Sequence, residues 1–223
     1  MNFIMEKTLH AVIKKYFKSD KAKYEVKIGN HIADIVIDNK IIEIQTREFN
    51  KLRNRLEFFL DKYTVTLVYP LPRHKWLIWI DPIAEEITKK RKSPRTGHIY
   101  DAIIELYKIK SFLNHQNFRL CIILVDVEEY RFLDGWSGDK KKGSTRVNRV
   151  PVSIVEEINL ENTCDYSLFI PDSLPNHFTS KDFKTAAKVD MQTAQTALNI
   201  LNYLGMVQRV GKQGSAYVYE RSE

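Results

Sequence analysis

Two apolar runs carry acidic residues where a buried sheet would not ordinarily hold them. Ile32 to Ile37 and Ile41 to Thr46 are rich in β-branched residues and flank Asp38-Asn39-Lys40, which reads as a hairpin turn. A two-residue turn at Asp38-Asn39 places Asp34 directly across from Glu43. Period two then puts Ile32, Asp34, Val36, Ile41, Glu43 and Gln45 on one face. Ala33, Ile35, Ile37, Ile42, Ile44 and Thr46 fall on the other, almost wholly apolar face, which is expected to be the core face. Opposed like charges cost a sheet up to about 1 kcal/mol. A divalent cation would turn that repulsion into chelation, because hard cations take several carboxylate and carbonyl oxygens. The alternative is a solvated edge that tolerates its charges, and a longer turn would shift the register.

Other residues around this hairpin could take part in chemistry. Glu6 and His10 stand one helical turn apart in the first segment and could support a second metal or bind its outer shell, although a lone helix histidine is more often a surface residue. Arg47, Lys51 and Arg55 recur at i, i+4 and i+8 after the hairpin, a basic stripe able to contact phosphates. A solvated helix face balanced by Glu48 and Glu57 reads equally well. Further on, Asp134-Gly135-Trp136 precedes Lys140-Lys141-Lys142, with Arg146 and Arg149 following, so cations adjoin an aromatic able to stack on a base. The other reading of that stretch is a solvated loop. Gly143-Ser144 lacks the upstream glycine and spacing of a phosphate-binding P-loop.

The chain has 223 residues, of which 43% are hydrophobic and 11% aromatic, enough to bury a core. Its formal net charge of +7 favours a polyanionic partner. No apolar run has the length of a membrane span, and the first residues lack the blocks of a signal peptide. Cys121 and Cys164 have neither CxxC spacing nor an evident disulfide partner, so a reducing cytoplasm is expected.

The elements that must position these residues follow from periodicity. Helical spacing predicts helices over 3–18, 47–62 and 98–113. Strands are predicted at Tyr24 to Ile28, in the hairpin, at Thr64 to Tyr69, at Lys75 to Ile80 and over 118–127. The basic stretches 89–95 and 138–149 read as exposed loops, and 150–175 as a connector packed on an α/β core. Residues 1–171 form the first expected domain and 172–223 the second. In the tail, Thr179 caps a helix over Ser180–Ala187, Lys188-Val189-Asp190 makes a turn, and Met191 to Leu204 forms a second helix. Its outward face is expected to carry Gln192, Gln195, Thr196 and Asn199. A hairpin follows around Gly211-Lys212-Gln213-Gly214.

The run Tyr24-Glu25-Val26-Lys27-Ile28, then Ala33-Asp34-Ile35-Val36-Ile37, then Ile42-Glu43-Ile44-Gln45-Thr46 resembles the PD-(D/E)XK nuclease superfamily. The resemblance implies a restriction-endonuclease-like mixed sheet flanked by helices, with Asp34, Glu43 and the Ile44 carbonyl holding Mg²⁺, or Mn²⁺ in its place. Glu6 would be the acid of the first helix, with Glu25 a second candidate. Two departures stand out: Ala33 replaces a frequent proline, and Gln45 replaces the usual lysine. Gln45 would position the attacking water, a role in which it cannot supply the lysine's charge.

The tail resembles a winged helix-turn-helix. There Gln195 and Asn199 would read base edges, while Arg209 and Lys212 would meet a phosphate or the minor groove. Against this, the second tail helix has no charged side chain. The whole implies a Mg²⁺-dependent endonuclease on DNA, with no membrane partner and a homodimer as candidate assembly. Two readings stand beside it: a catalytically silent nucleic-acid-binding protein that kept the fold, and a ribonuclease for structured RNA.

Overall fold

The computed structural model describes residues 8–81, 83, 86–134 and 144–222. Its core is a mixed sheet of seven strands in the order β1-β2-β3-β4-β6-β7, with the short β5 paired to β4. Strands β1 (Lys23–Ile28), β2 (His31–Ile37) and β3 (Lys40–Ile44) form an antiparallel meander. β4 (Thr64–Ile80) runs parallel to β3, and β6 (Phe118–Phe132) runs parallel to β4. β7 (Thr145–Leu160) closes the far edge antiparallel to β6, while β5 (Arg91–Lys92) borders β4.

Parallel neighbours need crossovers, and these place helices on the sheet. The link from β3 to β4 carries a 3-10 turn at Phe49–Leu52 and α2 (Arg53–Leu60). The link from β4 to β6 carries α3 (Ile103–Tyr107) between 3-10 turns at Ile99–Ala102 and Lys110–Phe112. Alternation along the two central strands sends Val65, Leu67, Tyr69, Leu120 and Ile122 into the α2 and α3 layer. Val68, Cys121, Ile123 and Val125 face α1 (Thr8–Tyr16), which buries Leu9 and Ile13 against them. Both faces are therefore covered, the condition that central parallel strands require.

Several sequence expectations change here. The predicted pair 64–69 and 75–80 is one strand, whose register shifts between Pro72 and Lys75 instead of ending. There Gly97 passes so close that a Cβ would lie 2.1 Å from the Pro72 carbonyl oxygen, and its amide donates to Arg73 O. The expected helix over 98–113 is one turn of α-helix framed by 3-10 turns. Most of the N-terminal half of the expected connector is strand β7, with Pro151 on the sheet edge, where a missing amide costs no ladder bond. Part of the basic stretch 89–95 pairs as β5.

The tail consists of α4 (Ser180–Ala187), α5 (Met191–Tyr203) and an antiparallel hairpin, β8 (Val207–Gln213) with β9 (Ala216–Arg221). Thr179 and Asp182 close the expected capping box on α4, and Asp190 caps α5. An αL residue, Lys188, turns the chain between the helices, and Gly205 (φ 74°) ends the second. Phe183, Leu198 and Leu201 belong to the same apolar cluster as the α2 and α3 layer. Tyr100 joins the two parts edge-on, 6.2 Å from Phe169 and 6.1 Å from Phe183.

Because that cluster is continuous, the tail and the sheet are expected to unfold together. Phe183→Ala should remove about 3–5 kcal/mol and shift one cooperative calorimetric transition. A second transition in the variant, with the first unmoved, would show that the tail is an independent unit.

Candidate functional site

The β2–β3 hairpin has the register expected from a two-residue turn: Val36 pairs Ile41 and Ile35 pairs Ile42. Asp38 takes the left-handed conformation there (φ 52°). Beyond Ile35 the ladder gives way to side-chain bonds at the acidic pair. The Asp34 amide donates to Glu43 Oε1 (3.3 Å), and the Ile44 amide donates to Asp34 Oδ2 (2.9 Å). Each carboxylate thus holds the backbone of the strand opposite. Opposite Asp34, Glu25 interrupts β1 with a left-handed φ of 51°.

The face assignment needs correction. Glu43 is 1% exposed, so it is buried instead of surface-facing. α1 covers the Ile35 and Ile44 side, and α2 covers the Ile41 side. Both acids therefore sit near the end of a covered sheet: Asp34 lines a cleft of about 150 Å³ with His10, Gln45, Arg47 and Arg55, and Glu43 lies buried against Arg55 of its wall.

The two carboxylates differ in environment. Burial pushes Asp34 up, but the hydrogen bond from His10, the Ile44 amide and the Lys14 charge outweigh it and leave the carboxyl below its ordinary range. His10 Nε2 stands 3.3 Å from Asp34 Oδ2, and Lys14 Nζ stands 3.3 Å from Oδ1. Lys14 also pairs with Glu25. Burial dominates at Glu43 and, with the negative charge of Asp34, raises its pKa to about 7 against the pull of Arg55. Arg55 Nη1 lies 3.0 Å from Glu43 Oε2, yet that oxygen has no hydrogen-bond donor. The ion pair is close but misaligned, so the guanidinium compensates charge without saturating the oxygen.

The donor set suits a hard divalent cation: two carboxylates, one with an unsaturated buried oxygen, beside the Ile44 backbone carbonyl. Among the described residues no three His, Cys, Asp or Glu side chains meet as a preformed cage. Two side-chain oxygen ligands would leave the remaining positions to water and substrate, as Mg²⁺ sites commonly do.

Of the other expected residues, Gln45 borders the cleft and donates through Nε2 to Arg47 O (2.5 Å). Arg47 and Lys51 are exposed and both face Glu48, while Arg55 turns inward, so the stripe divides between a solvated face and the site. Arg146 and Arg149 line a second cavity that shares Arg47 with the cleft. Asn199 is corrected from the outward face of α5, since its Oδ1 accepts a bond from Lys110 Nζ (2.9 Å) and ties the tail to the core. Gln195 is exposed. Arg209 lies over the Tyr217 ring at 4.1 Å and Lys212 at 5.2 Å, forming a cationic and aromatic patch on the hairpin. Glu6, Trp136, Lys140, Lys141 and Lys142 lie outside the described residues.

Sequence reasoning passed over Lys14, Glu129 and Arg131. Glu129 is fully buried at 0% exposure, with Arg131 Nη2 at 2.5 Å from Oε1 and Arg149 Nε at 2.7 Å from Oε2. An acid flanked by cations in strand β6 gives no signal until β7 is known to pair beside it.

The fold and site describe a mixed α/β protein with a central mixed sheet flanked by helices and an acidic cleft at the end of a hairpin. The chain belongs to the family described as Domain of unknown function (DUF8091), whose model matches residues 7–161. That span runs from α1 through β7, and α4, α5 and the final hairpin follow it. An uncharacterized protein of Treponema pallidum (strain Nichols) is 25% identical over 223 residues, covering 99% of this chain and 87% of the relative. That similarity therefore includes the tail. No solved structure matches the chain. Among the described residues no helix is long and apolar enough to cross a membrane.

Glu129 supplies a pH dependence that can be measured. Burial pushes its carboxyl up, but the charges and hydrogen bonds of Arg149 and Arg131 hold it below the ordinary glutamate range. Its stabilising contribution is therefore present above the unfolded pKa of about 4.3 and is lost as pH falls through the lower folded value. Denaturant titrations should show wild type losing stability over that acid range more steeply than Glu129→Gln. Parallel pH curves would mean that Glu129 is protonated in the native protein.

Proposed function

We propose that the chain is a Mg²⁺-dependent endonuclease that hydrolyses phosphodiester bonds in DNA, with a restriction-endonuclease-like core and a winged helix-turn-helix tail. The observation that carries this reading is Glu43 Oε2: a buried carboxylate oxygen with no hydrogen-bond donor, across the hairpin from Asp34 and beside the cleft that Asp34, Arg47 and Arg55 line. The order α1, three antiparallel strands, α2 and a parallel fourth strand agrees with such a core. The helix pair and hairpin of the tail agree with a winged helix.

In this reading Asp34, Glu43 and the Ile44 carbonyl hold the metal. The ion would supply Lewis acidity toward a phosphate oxygen and lower the pKa of a water. His10 and Lys14 fix the orientation of Asp34 and keep it ionised. Arg55 compensates Glu43 until a metal takes over that role, then becomes available to a phosphate oxygen. Gln45 Oε1 has no partner among the described residues, which suits it to orient a water. Arg47 at the mouth of the cleft meets the flanking backbone. The exposed Arg209, Tyr217 and Lys212 patch gives the tail its own contact with the duplex.

One observation favours a second reading. Gln45 stands where a lysine would be expected, and its amide is already spent on Arg47 O. A catalytically silent protein that grips nucleic acid through the same surface would accept that arrangement.

Plasmid, branched DNA and folded RNA incubated with and without Mg²⁺ or Mn²⁺ separate these readings. Outer-shell residues alone are worth about 10–100-fold in metal affinity or activity. Asp34→Ala and Glu43→Ala should therefore lose more than about 100-fold in cleavage. Mg²⁺ at about 100 times its Kd should stabilise wild type by about 2.7 kcal/mol and leave both variants unmoved. Equal stabilisation of all three proteins would place the metal elsewhere. Metal binding without cleavage of any substrate would favour the silent binder.

A further inference from the structure

The cavity beside the acidic cleft has a composition of its own. It measures about 370 Å³ and is lined by Thr8, Thr46, Arg47, Arg146, Asn148 and Arg149, among others, with no carboxylate among the described lining residues. Thr46 and Arg47 belong to both cavities, so the two adjoin.

Of its three lining arginines, Arg149 is held by a buried acid, Arg47 faces the exposed Glu48 and Arg146 has no ion pair among the described residues. Glu129 lies buried between Arg131 and Arg149, one carboxylate oxygen engaging each guanidinium. Arg131 also donates to Ser144 Oγ (3.0 Å). Arg149 uses only Nε on Glu129, which leaves both Nη groups without an acceptor among the described residues. Asn148 donates to Thr8 Oγ1 (2.7 Å), pinning α1 to β7 across the pocket. The side chain of Arg146, an exposed residue of β7, has no hydrogen bond or ion pair among the described residues.

The charge balance is uneven. Arg131 and Arg149 both pair with Glu129, Arg146 beside them has no ion pair among the described residues, and Arg47 faces Glu48 at 3.8 Å. Among the described residues the three β6 and β7 arginines therefore exceed Glu129 by two charges, with Arg146 and Arg149 in the lining itself. Burial and the neighbouring Arg149, Arg47 and Arg131 charges depress the pKa of Arg146, with only Glu129 opposing them. Like charges crowded in one pocket are relieved by an anion, and planar guanidinium forks fit phosphate oxygens in particular.

We propose that this arginine pocket is a seat for a terminal phosphate, so that the protein selects nucleic-acid strands by a phosphorylated end lying beside the acidic cleft. The charge excess of two matches a dianionic phosphomonoester better than a singly charged internal diester. This rests on the phosphodiester reading above, because the pocket serves a strand end only if a strand occupies the adjoining cleft.

The test is a binding measurement in EDTA, where no cleavage occurs. One fluorescent DNA duplex is prepared with a 5′-phosphate, with a 3′-phosphate and with hydroxyl ends, and each is titrated with full-length protein. One phosphorylated form should bind about tenfold more tightly than the hydroxyl form, the return expected from one or two charge-assisted bonds. Which form does so identifies the end that is read. Arg146→Ala should bring the ratio close to one, and Arg146→Lys, which keeps the charge and loses the fork, should leave it between. Arg146 is an exposed residue, so an unchanged melting temperature will confirm that the variants fold.

Equal affinity of wild type for all three duplexes overturns the seat, as does a preference that survives Arg146→Ala. Cleavage without end preference likewise overturns the seat and leaves the endonuclease reading intact. An end preference without cleavage keeps the seat and removes the nuclease.

Discussion

The structure turns on a carboxylate placed where the sheet would otherwise be apolar. Glu43 lies one residue before the end of β3, a strand hydrogen-bonded on both sides and covered by α1 on one face and α2 on the other. A buried charge costs several kcal/mol unless it is compensated. The chain meets that cost in part: Arg55 comes from the first helix after the hairpin, and the Asp34 amide bonds to Oε1. The remaining oxygen is unsatisfied, and a group with a pKa near 7 is ionised only in part at neutral pH. An unsatisfied buried oxygen of this kind is the feature on which the proposed cation site rests.

The neighbouring acid shows the opposite treatment. Asp34 receives the Ile44 amide, His10 and Lys14, and stays ionised despite partial burial. Two acids facing one another across a hairpin are thus driven apart in proton affinity by their surroundings. Asp34 is held as the anion, while Glu43 is ionised only in part. This asymmetry depends on α1, because His10 and Lys14 both come from that helix. The same helix is tied through Thr8 to Asn148 of β7, so the acidic cleft and the arginine pocket share one support.

Much of the site was legible because a hairpin is local. The turn residues fixed the register, and the register set Asp34 against Glu43 without any knowledge of the rest of the sheet. Burial was not legible, because it depends on α1 and α2 closing over both faces, and the alternation of the hairpin alone suggested one wet face. The long β4 was hidden by Pro70 and Pro72, which read as a break while the strand continues with a shifted register. β7 was hidden by its composition. Polar residues with Pro151 look like a connector, yet an edge strand needs only one paired side and tolerates solvent on the other. The second tail helix was legible, but its partner was not: Asn199 meets Lys110 from far earlier in the chain.

The missed strand matters most, because it carries half of the arginine pocket. Arg146 and Arg149 looked like the trailing end of a basic loop, where charge is only a solvated face. Paired against β6, they lie opposite Arg131 and Glu129, and a run of charges becomes an oriented cluster. The sheet thereby converts composition into geometry: the antiparallel pairing of the last two strands brings cations from both onto a single buried acid. The parallel pairing of β3 with β4 fixes Glu43 beside Leu67, buried next to the neighbouring cleft. On the proposed reading, a strand passing between the two cavities would meet an acidic site able to hold a cation on one side and the guanidinium groups of Arg146 and Arg149 on the other. That opposition of charge across one short surface is what a reaction at a phosphate needs, since the reacting group is itself an anion that must be both neutralised and held.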